Sequence, residues 1–214
     1  MPPVMTSQLA TRTRYHHGDL RAAMLRATAQ MVAELGPEAV SVREVARRAG
    51  VSSGAPFHHF PTRQALMTAV AEDATHRLRQ RIEAAVAEIP DSKAPRRLRA
   101  LARAYLCWVV DNPAQFKVVS DRRLIEYSEP IQQDNVAIQT LSRETLRQAL
   151  RHESKKGAEI DEAMLEMRAM AYGLARMFVD GHLPRWDGSE AEPLERMAAA
   201  LDNLLSRLMG KKVG

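Results

Sequence analysis

The stretch from Ser41 to Phe60, SVREVARRAGVSSGAPFHHF, constrains the fold of this chain more than any other part of it. Ser41 is followed three residues later by Glu44, a spacing typical of a capping box, in which each side chain accepts from a free backbone N–H at the start of a helix. Gly50 is predicted to end that helix, because glycine adopts the left-handed conformation of a sharp turn at little steric cost. The stretch therefore predicts two short helices joined by a tight turn, the helix-turn-helix pattern.

The start of the second helix depends on a serine and a proline. We predict that Ser53 caps it, with Ser52 as the alternative, because Pro56 then occupies the third helical position, where its missing N–H has no intrahelical partner. A short second helix of this kind can enter the major groove of DNA. The same pattern also occurs in helical hairpins that serve only for packing, so these twenty residues alone leave both interpretations open.

The distribution of charge favours the DNA-binding interpretation. Hydrophobic residues make up 45% and charged residues 27% of the 214, and the formal net charge is +5. Residues 1–65 hold eight basic and four acidic residues, whereas the remainder holds 23 and 22. Excess positive charge on the segment that carries the motif is what contact with phosphates requires, although a solvated basic face would look the same.

Several classes of protein are not favoured by the sequence. No apolar run approaches the length of a membrane span and residues 1–17 lack the apolar core of a signal peptide, so we expect a cytoplasmic protein without membrane contact. Cys107 is the only cysteine, which excludes an intrachain disulfide and a cysteine-based metal site. No catalytic motif is present, and we predict no enzyme, no metal and no cofactor.

Helical periodicity runs along the chain, and no stretch alternates long enough to predict a strand. Residues 1–17 are predicted to form a flexible basic arm. A first helix, capped by Asp19 and running to Leu35, is expected to pack with the motif. The predicted core of this three-helix unit is Leu20, Met24, Ala27, Met31, Val42, Val45, Ala46, Val51, Phe57 and Phe60. A fourth helix, capped by Thr62, is predicted to run about 40 Å to Ile89.

Further helices are predicted over residues 95–111, 113–120, 130–153, 160–180 and 193–209. The last two carry apolar surfaces that a core of this size is not expected to cover, which predicts a homodimer with a four-helix interface. Burial within one subunit is the alternative. The predicted interface residues are Ala171, Leu174, Phe178, Leu194, Met197, Leu201, Leu204, Leu205 and Leu208.

Aromatic residues and methionines of this second region are candidates for the lining of a ligand cavity, with plain core packing as the alternative. They are Tyr105, Trp108, Phe116, Tyr127, Met164, Met167, Met170, Tyr172, Met177 and Phe178. A cavity of this lining would accept an apolar or amphipathic small molecule.

Residues 18–75 resemble the tetracycline-repressor (TetR) family of bacterial transcription regulators. The likeness lies in the first helix closed by Gly36-Pro37, the S-V-R-E-V-A-R-R-A-G-V-S run, the F-H-H-F sequence, and Pro61-Thr62-Arg63 before the long helix. The resemblance implies an all-α fold with a three-helix DNA-binding domain over 18–75 and a helical effector-binding and dimerisation domain over 76–210. It further implies a homodimeric repressor that binds double-stranded DNA and is released by a small-molecule effector.

The resemblance also implies roles for individual residues. Ser41 matches a phosphate-binding hydroxyl of the family, Arg43 a position that reaches a base or the backbone, and Arg63 a basic residue that contacts phosphate. Phe57 replaces the usual tyrosine, and His58 is the candidate for the lost phosphate contact. The base-facing start of the second helix corresponds to Ser52, Ser53, Gly54 and Ala55.

This recognition surface contains few long hydrogen-bond donors. Bidentate readout of guanine or adenine uses Arg, Lys, Asn or Gln, and of these only Arg43 is present. We therefore expect sequence preference to depend on Arg43, on close contact through Gly54 and Ala55, and on DNA shape. An activator, and a DNA-binding protein without an effector, remain alternatives.

Overall fold

The computed structural model describes residues 17–52, 54–151, 157–183 and 192–210. These residues form nine α-helices and no strand, which confirms the prediction of an all-α fold. The predicted arm lies outside the described residues except for His17. The helices are α1 (His17–Leu35), α2 (Val42–Arg48), α3 (Pro56–His59), α4 (Arg63–Ala87), α5 (Ala94–Asp111), α6 (Pro113–Ser120), α7 (Glu129–Ala149), α8 (Gly157–Val179) and α9 (Pro193–Leu208).

Local side-chain contacts explain where two of these helices begin. The Thr62 hydroxyl accepts from the N–H of Ala65 at 3.0 Å, which caps α4 as predicted. The Ser41 hydroxyl accepts from the N–H of Glu44 at 3.2 Å and caps α2. α1 already begins at His17, so the prediction that Asp19 caps it is wrong.

The first hydrophobic core lies among α1, α2, α3 and the beginning of α4. Eight of the ten predicted residues are buried in it, and Val51 packs at its edge. The placement of Phe57 in this core is wrong, because 42% of the residue is exposed. Pro56 is buried beside the correctly predicted Phe60, because residues four apart share one face of a helical turn, whereas Phe57 points away from that face.

The second region is a bundle of α4 to α9. α4 belongs to both units: Leu66 and Val70 lie in the first core, whereas Leu78 and Ile82 lie in a cluster with α5 and α6. The boundary at residue 75 stays a prediction, because α4 passes through it without a break. No helix in the described ranges is long and apolar enough to cross a membrane.

The apolar stripe of α9 forms the core of this bundle. It packs against α5 and α8, and Leu98 and Leu106 of α5 supply much of the cover. Four predicted interface residues are therefore buried inside the single chain, and the prediction that they contact a partner subunit is wrong: Met197, Leu201, Leu204 and Leu205. The other five are only partly buried and stay predicted: Ala171, Leu174, Phe178, Leu194 and Leu208.

Candidate nucleic-acid interface and effector cavity

The turn between α2 and α3 has the geometry of a Schellman motif. Gly50 has φ of 68°, the left-handed region that favours glycine. Its N–H donates to the carbonyl of Arg47 at 3.2 Å, and the N–H of Val51 donates to the carbonyl of Ala46 at 3.1 Å. These bonds end α2 and turn the chain sharply towards α3, as the sequence predicts.

The three arginines of α2 differ in their partners. Arg47 donates through Nε and Nη2 to both carboxylate oxygens of Glu44, at 2.8 and 2.6 Å. Arg48 donates to Glu34 of α1 at 2.5 Å and to Glu44 at 3.4 Å. Arg43 is exposed and has neither an ion pair nor a hydrogen bond within the part of the chain that the structure describes. On α2, therefore, Arg43 is the guanidinium left available to an external acceptor.

The Glu44 carboxylate pairs with two of these arginines and does not cap the beginning of α2. The predicted reciprocal half of the capping box is wrong, because the carboxylate accepts from Arg47 and Arg48. The hydrogen bond from Arg47 is the main cause that lowers the pKa of Glu44 to about 2. Because that pKa is depressed, Glu44 remains ionised far below neutral pH and continues to neutralise its partners.

α3 is a single turn that begins at Pro56. The predicted helix start is wrong, because Ala55 is the N-cap residue. Pro56 is the first residue of the helix, a position where the fixed φ of proline is favourable. Ser53, the predicted cap, lies outside the described residues. The N–H of Phe60 donates to the carbonyl of Pro56 at 2.8 Å and closes the turn.

The residues predicted to face DNA lie mostly at the surface. Ser41, Arg43, Ser52, Gly54, Phe57 and His58 are exposed, and Ala55 is partly exposed. A side chain added at Gly54 would meet no atom within 4 Å, so the backbone there is open to close approach. This surface combines one free guanidinium with small residues, an aromatic ring and an imidazole.

Arg63 has a structural role that the sequence did not predict. Its Nε donates to the carbonyl of Val40 at 3.1 Å and its Nη2 donates to the carbonyl of Pro37 at 2.8 Å. The side chain is partly buried and joins the beginning of α4 to the turn after α1. Two of its five N–H donors therefore bind backbone carbonyls, and the phosphate contact through the others stays a prediction.

The bundle contains a partly open cavity of about 280 Å³ between α4, α5, α6, α7 and α8. Seven predicted lining residues border it: Tyr105, Trp108, Phe116, Tyr127, Met164, Met167 and Tyr172. Met170, Met177 and Phe178 do not appear in its wall, and the prediction for them is wrong. Met170 and Met177 lie on the other side of the buried face of α8, where they pack against the core with α9.

The polar part of the cavity wall was not predicted from the sequence. The predicted lining contains only aromatic residues and methionines, whereas the wall also contains Thr75, Arg122, Asn135, Ser142 and Arg168. The position of Arg168 on α8 could have predicted it as a lining residue, because it directly follows Met167 and lies three residues before Ala171, and both of these line the cavity. Arg122 lies in a loop, for which helical periodicity gives no signal.

The cavity wall is continuous with the core of the helix-turn-helix unit. Ile125 and Ile131 line the cavity and also belong to the first hydrophobic core. In the same loop the N–H of Glu126 donates to the hydroxyl of Thr68 on α4 at 2.9 Å. A molecule in the cavity would therefore contact side chains that pack against the DNA-binding unit.

Two family models match this chain. The model described as bacterial regulatory proteins, tetR family, matches residues 24–70, and the one described as Tetracyclin repressor-like, C-terminal domain, matches residues 98–201. The HTH-type transcriptional regulator BetI of Escherichia coli O157:H7 is 26% identical over 196 residues, covering 77% of this chain and 94% of BetI.

Two further similarities concern a shorter segment and the fold. The HTH-type transcriptional repressor Rv3405c of Mycobacterium tuberculosis H37Rv is 37% identical over 89 residues, covering 41% of this chain and only about half of that repressor, 47%. A solved tetR-family regulatory protein from Rhodococcus RHA1 has a TM-score of 0.71 at 23% identity, covering 91% of this chain and 98% of that one. At that identity the likeness shows a shared fold.

Proposed function

Because the chain belongs to the TetR family of bacterial regulatory proteins and is a DNA-binding transcriptional regulator, we propose that it is a homodimeric repressor, which a small molecule releases from a palindromic operator. The proposal depends chiefly on one observation: α4 begins beside an exposed helix-turn-helix and continues as a wall of the cavity. The relatives are named as regulators, in agreement with the prediction that the chain is not an enzyme.

On the DNA side, α3 lies in the major groove and Arg43 of α2 provides the long donor. A free guanidinium can bind the O6 and N7 atoms of guanine in a bidentate manner. The Ser41 oxygen accepts from a backbone N–H, so its own O–H remains available to donate to a phosphate. Ser52, Gly54, Ala55, Phe57 and His58 form the remainder of the proposed contact surface.

Release by an effector is explained by the residues of α4 that line the cavity. Thr75, Leu78 and Ile82 of α4 line it, so a ligand favours the tilt of α4 that fits it best. A change of tilt alters the distance between the two α3 helices of a dimer. Half-sites lie about 34–36 Å apart along the duplex, so a changed distance weakens binding to both at once.

The test of this function is selection of operators from random duplex DNA by the purified chain. We expect an inverted repeat with half-sites about one or two helical turns apart. When the selected site is placed across a promoter in a reporter strain, expression of the chain should lower transcription. Recovery of a single half-site would contradict a dimeric regulator, and a rise in transcription would identify an activator.

The proposed dimer contact is the outer face of α8. Leu165 is 69% exposed, the most exposed large apolar residue within the described ranges, and Ala169 and Gly173 follow at intervals of four residues on the same face. Small residues at this spacing allow a second helix to approach closely. This face lies opposite Met167, so it is independent of the buried stripe.

Leu165→Glu is expected to raise the dimer dissociation constant by about tenfold or more. Burying a leucine contributes about 1.5–3 kcal/mol, and each 1.4 kcal/mol corresponds to a factor of ten. Sedimentation velocity over a dilution series measures the change. Val136→Glu is the matched control, since Val136 of α7 is 60% exposed and lies outside the proposed face. Equal effects of both substitutions, or none from either, would contradict this interface.

A further inference from the structure

The wall of the cavity is positively charged. Among the described residues that line it are two arginines, Arg122 and Arg168, and no aspartate or glutamate. Neither arginine forms an ion pair with a carboxylate in the described ranges. Two guanidinium groups at one cavity without a counter-charge favour an anionic ligand.

Two carboxylates next to this wall, Asp121 and Asp134, are already paired with other cations. Asp121 precedes Arg122 in the chain, but it accepts from Arg123 at 2.7 and 3.0 Å, which lowers the pKa of Asp121 to about 2. Asp134 precedes Asn135 and pairs with Arg79 at 3.2 Å. Neither carboxylate is therefore available to balance the charge of Arg122 or Arg168.

The hydroxyl of Tyr105 adds a neutral donor to the same wall. It has no hydrogen-bond partner in the part of the chain that the structure describes. Burial raises the pKa of Tyr105, so the phenol keeps its proton at neutral pH. In contrast, the hydroxyl of Ser142 already donates to the carbonyl of Ile138 at 2.7 Å. Tyr105 can therefore donate to an oxygen of a ligand.

A cationic ligand is the main competitor, because aromatic side chains bind cations through their faces. Here the guanidinium of Arg122 already lies 3.9 Å from the centre of the Tyr127 ring, so that face is occupied by a cation of the protein. A second cation in the cavity would meet two positive charges and no carboxylate of the described wall. The arrangement favours an anion over a cation.

We propose that the cavity binds a small amphipathic anion, whose apolar body packs among Trp108, Phe116 and Ile82 and whose charged head lies towards Arg122 and Arg168. The inference rests on the effector site of the proposed function and names its ligand class. A volume of about 280 Å³ lies just below the roughly 300–1,000 Å³ typical of ligand sites. The ligand is therefore expected to be a short-chain or single-ring compound.

The test compares three probes whose main chain has eight carbon atoms, counting the carboxyl carbon: octanoate, 1-octanol and octyltrimethylammonium. Binding to the full chain is measured by calorimetry and by fluorescence of Trp108 in a Trp186→Phe background. We expect octanoate to bind at least about tenfold more tightly than octanol, since hydrogen bonds to charged groups contribute about 1.5–3 kcal/mol. We expect octyltrimethylammonium to bind most weakly.

Substitution of both arginines tests whether they cause the preference for octanoate over octanol. Arg122→Gln combined with Arg168→Gln should lower octanoate affinity to that of octanol, while unchanged octanol affinity shows that the cavity is intact. Arg96→Gln is the matched control, because Arg96 of α5 is exposed, has no ion pair within the described ranges and does not line the cavity. It should leave the octanoate preference unchanged.

The outcomes separate this inference from the proposed function. Equal affinity for octanoate and octanol, or tighter binding of the ammonium probe, overturns the charge preference and leaves the effector site in place. A preference that survives in the double variant also overturns it. If none of the three probes binds while the chain still binds its operator, both the effector site and this inference are overturned.

Discussion

Arg43→Ala is expected to weaken binding to the selected operator by about 1–3 kcal/mol, roughly 5- to 150-fold, while non-specific binding changes much less. The reason is that Arg43 is the only long donor of the proposed surface without a partner among the described residues, so its loss removes a base contact as well as a charge. Fluorescence anisotropy with operator and scrambled duplexes, at one salt concentration, measures the ratio of the two affinities.

Arg47→Ala is the matched control for this prediction. It removes the same formal charge from the same helix, but the Arg47 guanidinium is already bound by both oxygens of Glu44. We expect the ratio of specific to non-specific affinity to stay nearly constant in this variant. If Arg43→Ala also left the ratio constant, the base-reading role of Arg43 would be rejected.

Phe60→Ala is expected to lower the free energy of unfolding by about 3–5 kcal/mol, the usual cost of truncating a buried phenylalanine. Phe60 is 3% exposed and lies in the core formed by α1, α2 and α4. Urea unfolding, followed by far-ultraviolet circular dichroism, measures the change. Loss of this side chain leaves a cavity in the core to which Met24 and Leu66 also belong, and a small helical unit has few ways to refill it.

Phe57→Ala is the control, since it removes the same group from the same short segment. Phe57 is 42% exposed, so we expect a loss of at most about 0.5–1 kcal/mol in stability, together with weaker operator binding. Similar destabilisation by both substitutions would mean that Phe57 packs inward, and the proposed surface of α3 would then have to be abandoned.

The features that could be predicted from sequence depend on residues close together in the chain. The Ser41 and Thr62 caps act on N–H groups three residues away, and the Gly50 turn depends on a conformation that one residue type favours. The helical periodicity that predicts nine helices is local as well. For the same reason, the sequence motifs of residues 18–75 were sufficient to identify the family.

Other features depend on parts of the chain that are remote in sequence. The guanidinium of Arg63 turns towards carbonyls 23 and 26 residues earlier, and no local pattern distinguishes this from a guanidinium that faces DNA. The apolar stripe of α9 is covered by α5. Arg99 of α5 also donates to Asp202 of α9, which lies 103 residues later in the chain. Wide apolar stripes predict burial, but only the packed structure decides whether the same chain or a second one covers them.

The sequence by itself determined the helices, the sharp turn and the family, because capping, periodicity and glycine conformation act over a few residues. Tertiary structure decided which arginine is free, which phenylalanine is buried and which charges line the cavity. These outcomes depend on the side chains that neighbouring helices bring into contact, and a one-dimensional pattern contains no distance between Arg122, Arg168 and the carboxylates that would neutralise them.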